Sequence, residues 1–409
     1  MTVQQRTLAV SLPPPADPAK SSRELYEQVC EDILALLGTD IARDSSIPGG
    51  LEDSKGAVTM TRLWDSVLWA EHRSELRWLR YLRGWPRSTI LRAIRLPFGS
   101  LLAFAFCVLT FNRLVWCFDE SWYPLLRLPQ TPLGLQAASI GLILVFRTNQ
   151  THDRLREAQK EMARLSAVER EVLQMLIVHV PVEYTHVICL VARLLAYFGW
   201  LLKAELWDTN TKKVRLMGSR FLPDDELDWI CKQDVPTSAV IFRMRSLVGA
   251  LYNHGCLDKE AFKFVEDDLA KLGDIRSVCE RLATFPIPPS YHRHGSRAIM
   301  LWIGALPFAL DGKGHHFLEN MFTVAITGFV VLGLDAIAIQ TEQPFDVMPL
   351  QQFATGMSRD VQSVLNGWCS MPGSAASSDP PGASAKDEST ARGSEAGLRH
   401  RGTTHESQS

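Results

Sequence analysis

Histidines, acids and arginines are the residues whose spacing here invites a chemical reading. His292 and His294 flank Arg293, and His315 and His316 adjoin in a glycine-rich turn. Zinc needs further ligands at defined spacing, and no His-Glu-x-x-His pair occurs. His179 and His186 are seven apart on one expected apolar helix and read as core or interface histidines. Asp311-Gly312-Lys313-Gly314 is a turn rather than a phosphate loop, because no strand-loop-helix pattern surrounds it. The acidic run Asp224 to Asp228 follows Pro223 and reads as a helix start, with its acids at the positive end of the dipole. No nucleophile elbow is present. These residues assemble no nucleophile, base or metal set, so catalysis is not expected.

A second kind of pattern carries more. Ala138, Leu142 and Phe146 recur every fourth residue of an uncharged run and share one helix face. Gly134, Ala137 and Gly141 offer small surfaces for close helix packing. Arg147 ends the stripe. The pattern fits a packed helix with a snorkelling arginine. It equally fits a narrow apolar constriction opening onto a positive mouth, as an anion pore needs. Periodicity does not separate the two.

The elements that must hold this stripe are apolar runs. Leu96 to Asn112 and Leu128 to Phe146 contain no charge. Weaker runs follow at Ala298 to Leu310 and Asn320 to Leu334. Met175 to Trp200 is also apolar but carries Glu183 and Arg193. A secure span needs about 20 apolar residues, so each run alone is short. Charge placement decides. Arg62, Arg73, Arg77, Arg80, Arg83, Arg87, Arg92 and Arg95 precede the first run, among Trp64, Trp69, Trp78, Tyr81 and Trp85. Arg147, Arg154, Arg156, Lys160 and Arg164 follow the second, and Arg293 and Arg297 precede the third. The opposite loops hold only Arg127 and Lys313 as cations. This alternation is the positive-inside pattern of four spans with both termini on one side. Trp116, Trp122, Tyr123 and Trp302 sit near the span ends, as interface anchors do.

Composition is compatible with that division. With 43 basic and 45 acidic residues the net charge is −2, and the mean hydropathy is −0.01. A chain made mostly of spans is excluded, and 11 Trp with 18 Phe exclude wholesale disorder. The charge balance argues against a nucleic-acid partner. The 8 Cys form no Cys-x-x-Cys pair and suit a reducing compartment. The expected fold is all-α and polytopic. It comprises an N-terminal arm with a short amphipathic helix (1–60) and basic aromatic pre-membrane helices (61–95). Membrane helices 1 and 2 follow (96–150, pore helix 131–150), then an extramembrane helical domain (151–292). Membrane helices 3 and 4 (293–340), a post-membrane segment (341–369) and a disordered tail (370–409) complete the chain. The basic opening of the arm is either a transit-peptide remnant or a flexible extension.

Several segments also carry a resemblance. LVFRTNQTHDRLREA at 144–158, IPPSYHRHGSRAIMLWIGALPFAL at 287–310 and GLDAIAIQTEQPFDVMPL at 333–350 resemble signatures of the bestrophin family. HRSELRWLRYL at 72–82 is similar to its plant and algal thylakoid branch, that of the voltage-dependent chloride channels. Together they bracket about residues 60–365 in the family's order.

The resemblance implies a homopentameric, multi-pass anion channel of the chloroplast thylakoid membrane. Chloride would pass passively and tune proton-motive force. Bicarbonate conduction feeding algal carbon concentration is the close alternative. A membrane-anchored helical scaffold or lipid-binding protein is the alternative of another class, with residues 61–95 as a headgroup-binding surface. The resemblance places the pore neck at Ala138, Leu142 and Phe146, and the inner mouth at Arg147 and Asn149. Ala138 is smaller than the family's usual branched residue, which widens the outer neck. Met162 replaces a usual tryptophan. Pro344-Phe345 runs straight into Asp346-Val347-Met348-Pro349, without the longer acidic loop of calcium-gated members. No calcium clasp, other metal or cofactor is expected, since a hard cation needs six to eight oxygens.

Overall fold

The computed structural model describes residue 12 and residues 21–38, 66–84, 88–118, 126–207, 211–310 and 316–372. These are helical, with no strand among the described residues. The expected linker at 44–56, the Asp311–Gly314 turn, His315, Trp122, Tyr123 and the tail beyond 372 lie outside them.

Three short helices come first: α1 (Ser22–Leu37), α2 (Ser66–Arg73) and α3 (Arg77–Gly84). A capping box starts α1: Ser21 accepts from the Glu24 amide while Glu24 accepts from the Ser21 amide. Tyr26, Val29, Ile33 and Leu36 then bury one face of it.

The remaining helices sort into two layers, each with its own core. The smaller layer holds α4 (Thr89–Phe118), the first part of α5 (Gln130–His179), α11 (Pro289–Ala309) and α12 (Phe317–Glu342). Ile94, Leu101, Ala105, Ile140, Leu144, Ile299, Ile303, Val324 and Leu332 form its core. Gly328 allows α4 and α12 a close approach: a Cβ there would lie 2.6 Å from Leu101 Cδ2. The larger layer packs α1 and the rest of α5 against further helices. These are α6 (Thr185–Leu206), α7 (Thr211–Gly218), α8 (Asp224–Cys231), α9 (Pro236–Asn253), α10 (Lys259–Thr284), the single turn α13 (Pro344–Val347) and α14 (Leu350–Cys369).

Length and composition make α4, α5, α6 and α12 able to cross a membrane. Packing changes that set by one. The most apolar stretch of α6 is 78% buried, against 17% for α5. Its Trp200 indole donates to Ser358 Oγ at 3.1 Å, its neighbour Trp207 donates to the Phe345 carbonyl at 2.9 Å, and its Arg193 pairs with Asp32 at 2.5 Å. It is therefore the central helix of the charged layer. In its place α11, diluted by His292, Arg293, His294 and Arg297, packs on α4, α5 and α12. We read α4, α5 up to about residue 150, α11 and α12 as the four membrane helices.

One correction concerns the apolar stretch Met175 to Trp200. It is not one helix: α5 ends at His179 and α6 begins at Thr185, with Pro181 in the turn between. His179 and His186 therefore lie on different helices.

The outer end of the membrane layer is laced by hydrogen bonds. Asn112, 1% exposed, exchanges bonds of 3.1 and 2.9 Å with the backbone of Leu126. Gln130 Nε2 reaches the Ala309 carbonyl at 2.9 Å, and the Trp302 indole reaches the Leu133 carbonyl at 3.0 Å. These bonds fix where α5 starts. From there α5 runs 50 residues without a break, about 75 Å at 1.5 Å per residue, and belongs to both layers.

Candidate functional site

The first part of α5 has two unlike faces. Ile140, Leu144, Arg147 and Thr151 are buried against the other membrane helices. The opposite face is open in the subunit: Ala138 and Asn149 are exposed, Leu142 is 55% exposed and Phe146 53%. Leu135 and Val145 widen this apolar band. Gly134 and Gly141 also face open space rather than a packed helix of the same chain. These two glycines thus make no close contact with another helix of the subunit.

Arg147 departs from its expected place. It is 1% exposed, so its charge forms no open mouth. Its Nη1 donates to Asp335 of α12 and, at 3.2 Å, to Ser296 Oγ of α11. Ser296 in turn donates to the other Asp335 oxygen at 3.4 Å. The physical reason is angular. Successive residues are about 100° apart on a helix, so an arginine next to Phe146 points to another face. A cation at membrane depth lowers its energy by pairing inside the bundle. Asp335 is itself an isolated acid in an apolar run, and that was the sequence signal for this partner.

Beyond Asn149 the exposed face of α5 continues into charge. Asp153, Arg156 and Lys160 are exposed there, and Arg156 lies 3.6 Å from Asp153. Positive charge below the apolar band is therefore carried by Arg156 and Lys160. Arg154 has turned inward: its Nε donates to the Glu342 carbonyl at 3.1 Å and its Nη2 to the Leu282 carbonyl at 2.7 Å. It satisfies carbonyls at the C-terminal ends of α12 and α10.

Glu342 ends α12 and accepts from the Ile287 amide at 3.2 Å, with His292 Nε2 at 3.1 Å from its other oxygen. His292 is thus a contact at the foot of α11, and no cluster of His, Cys, Asp or Glu able to hold a metal occurs among the described residues. Burial pushes the Asp346 carboxyl above its ordinary range.

A family model for bacterial and fungal bestrophin proteins matches residues 68–363. This chain belongs to the bestrophin family. Among curated proteins, the chloroplastic voltage-dependent chloride channel 2 of Arabidopsis thaliana is 26% identical over 299 residues, covering 69% of this bestrophin and 68% of that protein. Voltage-dependent chloride channel 1 of the same plant, also chloroplastic, is 24% identical over 374 residues, covering 87% and 85%. The voltage-dependent anion channel-forming protein YneE of Escherichia coli is 25% identical over 295 residues, covering 71% and 92%. A crystal structure of a bacterial bestrophin homolog from Klebsiella pneumoniae superposes with a TM-score of 0.60 at 23% identity, covering 67% of this chain and 98% of that one. At that identity the likeness concerns the fold, an all-helical bestrophin with membrane helices.

Proposed function

We propose that this bestrophin is an anion channel assembled from five copies. It passes chloride passively across the thylakoid membrane and so tunes the partition of proton-motive force. The observation that carries this reading is the orientation of α5. Its stripe Ala138, Leu142 and Phe146 is uncovered in the subunit, while Arg147 on the adjacent face is held inside. Closing five subunits around one axis turns each stripe residue into an apolar ring. A short apolar constriction passes a partly dehydrated anion when positive charge lies near, and small movements there gate it by dewetting.

Asn149 supplies polar groups at the inner end of this neck, followed by Arg156 and Lys160. Arg147 serves the pore as the anchor of its helix. Ala138 leaves the outer ring wide, so Leu142 and Phe146 set the narrowest point. Passive conduction calls for no catalytic group and no cofactor. The thylakoid assignment draws support from the two relatives named chloroplastic.

The deciding experiment is electrical. Purified protein in planar bilayers is held in opposed chloride and bicarbonate gradients, and the reversal potential is read. Chloride conduction places it near the chloride equilibrium potential, and the current persists in chelator. A reversal tracking bicarbonate reassigns the ion. Absence of current in the intact protein overturns the channel in favour of a membrane-anchored scaffold.

A further inference from the structure

We propose that His292 is a pH-dependent positioning residue: its protonated ring clamps the foot of α11 to the last turn of α12, and through α12 holds α5 in place. The clamp stands on contacts within the subunit. Its action on permeation rests on the reading of α5 as the pore helix.

His292 and Ser296 lie one turn apart on the inward face of α11, and Asp335 and Glu342 lie two turns apart on one face of α12. Two rungs therefore join these helices: Ser296 to Asp335 at 3.4 Å, and His292 Nε2 to Glu342 Oε2 at 3.1 Å. The side chains of the second rung are 14% and 20% exposed, so water screens them little. Both rungs reach α5. Asp335 holds Arg147, and the Glu342 carbonyl accepts from Arg154 Nε at 3.1 Å. The second carboxylate oxygen of Glu342 accepts from the Ile287 amide, just before α11.

A neutral ring is badly satisfied here. Both His292 nitrogens are buried, and neither makes an aligned hydrogen bond among the described residues. A donor and an acceptor left so cost free energy. Protonation changes the balance, because Coulombic attraction between imidazolium and carboxylate does not depend on alignment. Glu342 is also the last residue of α12, where the helix dipole turns its negative end toward a cation.

The charges around the ring come from each helix packed on α11. From α12, Asp335 and Glu342 both act on it. From α5 come Arg147, spent on Asp335, and Arg154, spent on carbonyls. Arg92 and Arg95 of α4 are exposed, as are Arg293 and His294 of α11 itself. Residues 285–288, which lead into α11, carry no charge. Two acids thus face the ring, and imidazole is the side chain that changes charge between about pH 5 and 8. Stability from the clamp is present while the ring is charged and is lost as pH rises through that range.

The test is thermal unfolding of the full-length protein in nanodiscs at about pH 5.5 and about pH 8.5, for the natural chain, His292→Gln, Glu342→Gln and the double variant. The natural chain is expected to unfold at a higher temperature than His292→Gln, by a margin that shrinks at the higher pH. Between Glu342→Gln and the double variant, no pH-dependent margin is expected. A margin equal at both pH values, or a pH-dependent one that survives Glu342→Gln, overturns the clamp. Single-channel recording at the same two pH values tests positioning. Open probability is expected to shift several-fold between them in the natural chain, and His292→Gln is expected to lose the shift. No shift in the natural chain, or one retained in His292→Gln, overturns the positioning role. Absence of all current overturns the channel reading instead, and the unfolding data alone then decide the clamp.

Discussion

Arg147 on α5 and Asp335 on α12 form a buried ion pair, and Ser296 on α11 touches both. One arginine thereby joins three of the four membrane helices and fixes the rotation of α5. Its Nε is buried without a hydrogen-bond partner among the described residues, so the pair is retained despite an incomplete set of bonds.

Removing one partner of that pair leaves the other charge buried and alone. Arg147→Met is expected to cost about 3–5 kcal/mol, whereas Arg147→Met with Asp335→Leu restores most of the loss. Thermal unfolding of the purified variants measures both. Equal destabilisation by the single and double variants would show that the arginine acts through packing instead of charge.

The two faces of α5 predict opposite outcomes for similar substitutions. Phe146→Ala removes an exposed ring and leaves subunit stability nearly unchanged, while widening the proposed neck and raising single-channel conductance. Leu144→Ala, at a site 6% exposed, opens a cavity in the core and costs about 2–5 kcal/mol. Conductance and unfolding temperature, recorded on both variants, separate a pore-lining position from a packing one. Unaltered permeation in Phe146→Ala would remove that residue from the neck.

Glu169 lies on the extramembrane part of α5, fully buried, with neither carboxylate oxygen bonded among the described residues. Burial holds its carboxyl well above the ordinary range. Asp360 of α14 pushes in the same direction, and Arg170 opposes. Between the ordinary carboxylate value and the raised one, the folded chain keeps a proton that the unfolded chain has released. Stability contributed at this site therefore falls as pH rises through that interval. Glu169→Gln has no proton to lose there. Its unfolding temperature relative to the natural protein is expected to climb from pH 4 to pH 8, whatever the constant offset. A pH-independent difference would show that Glu169 finds a polar partner.

Much of the architecture was legible from charge placement. The arginines before Leu96, after Phe146 and before Ala298 pointed to α4, the first part of α5, α11 and α12 as membrane helices, whereas length and hydropathy alone put α6 in place of α11. That exchange has a physical cause: a helix at the centre of a soluble layer is apolar all round, and α11 carries polar residues toward its inner end. The stripe of Ala138, Leu142 and Phe146 could be read from spacing because it lies along one helix. The fate of Arg147 could not. Its partner stands 188 residues away, and periodicity orders residues within a helix without naming the helix that will face them. The inward turn of Arg154 and the break between His179 and His186 were hidden likewise, the second although Pro181 stood in plain sight.

The uninterrupted length of α5 has a mechanical consequence. Pinned at Arg147, the helix is a lever with unequal arms: about 48 Å toward His179 and about 14 Å toward Ala138. A sideways displacement at the far end of the charged bundle would reach Ala138 at roughly a quarter of its size and Leu142 at about a sixth, in the opposite sense, and would leave Phe146, next to the pivot, almost in place. In the proposed pore the gearing would trade travel for force at the outer part of the stripe while Phe146 stays fixed beside the pivot.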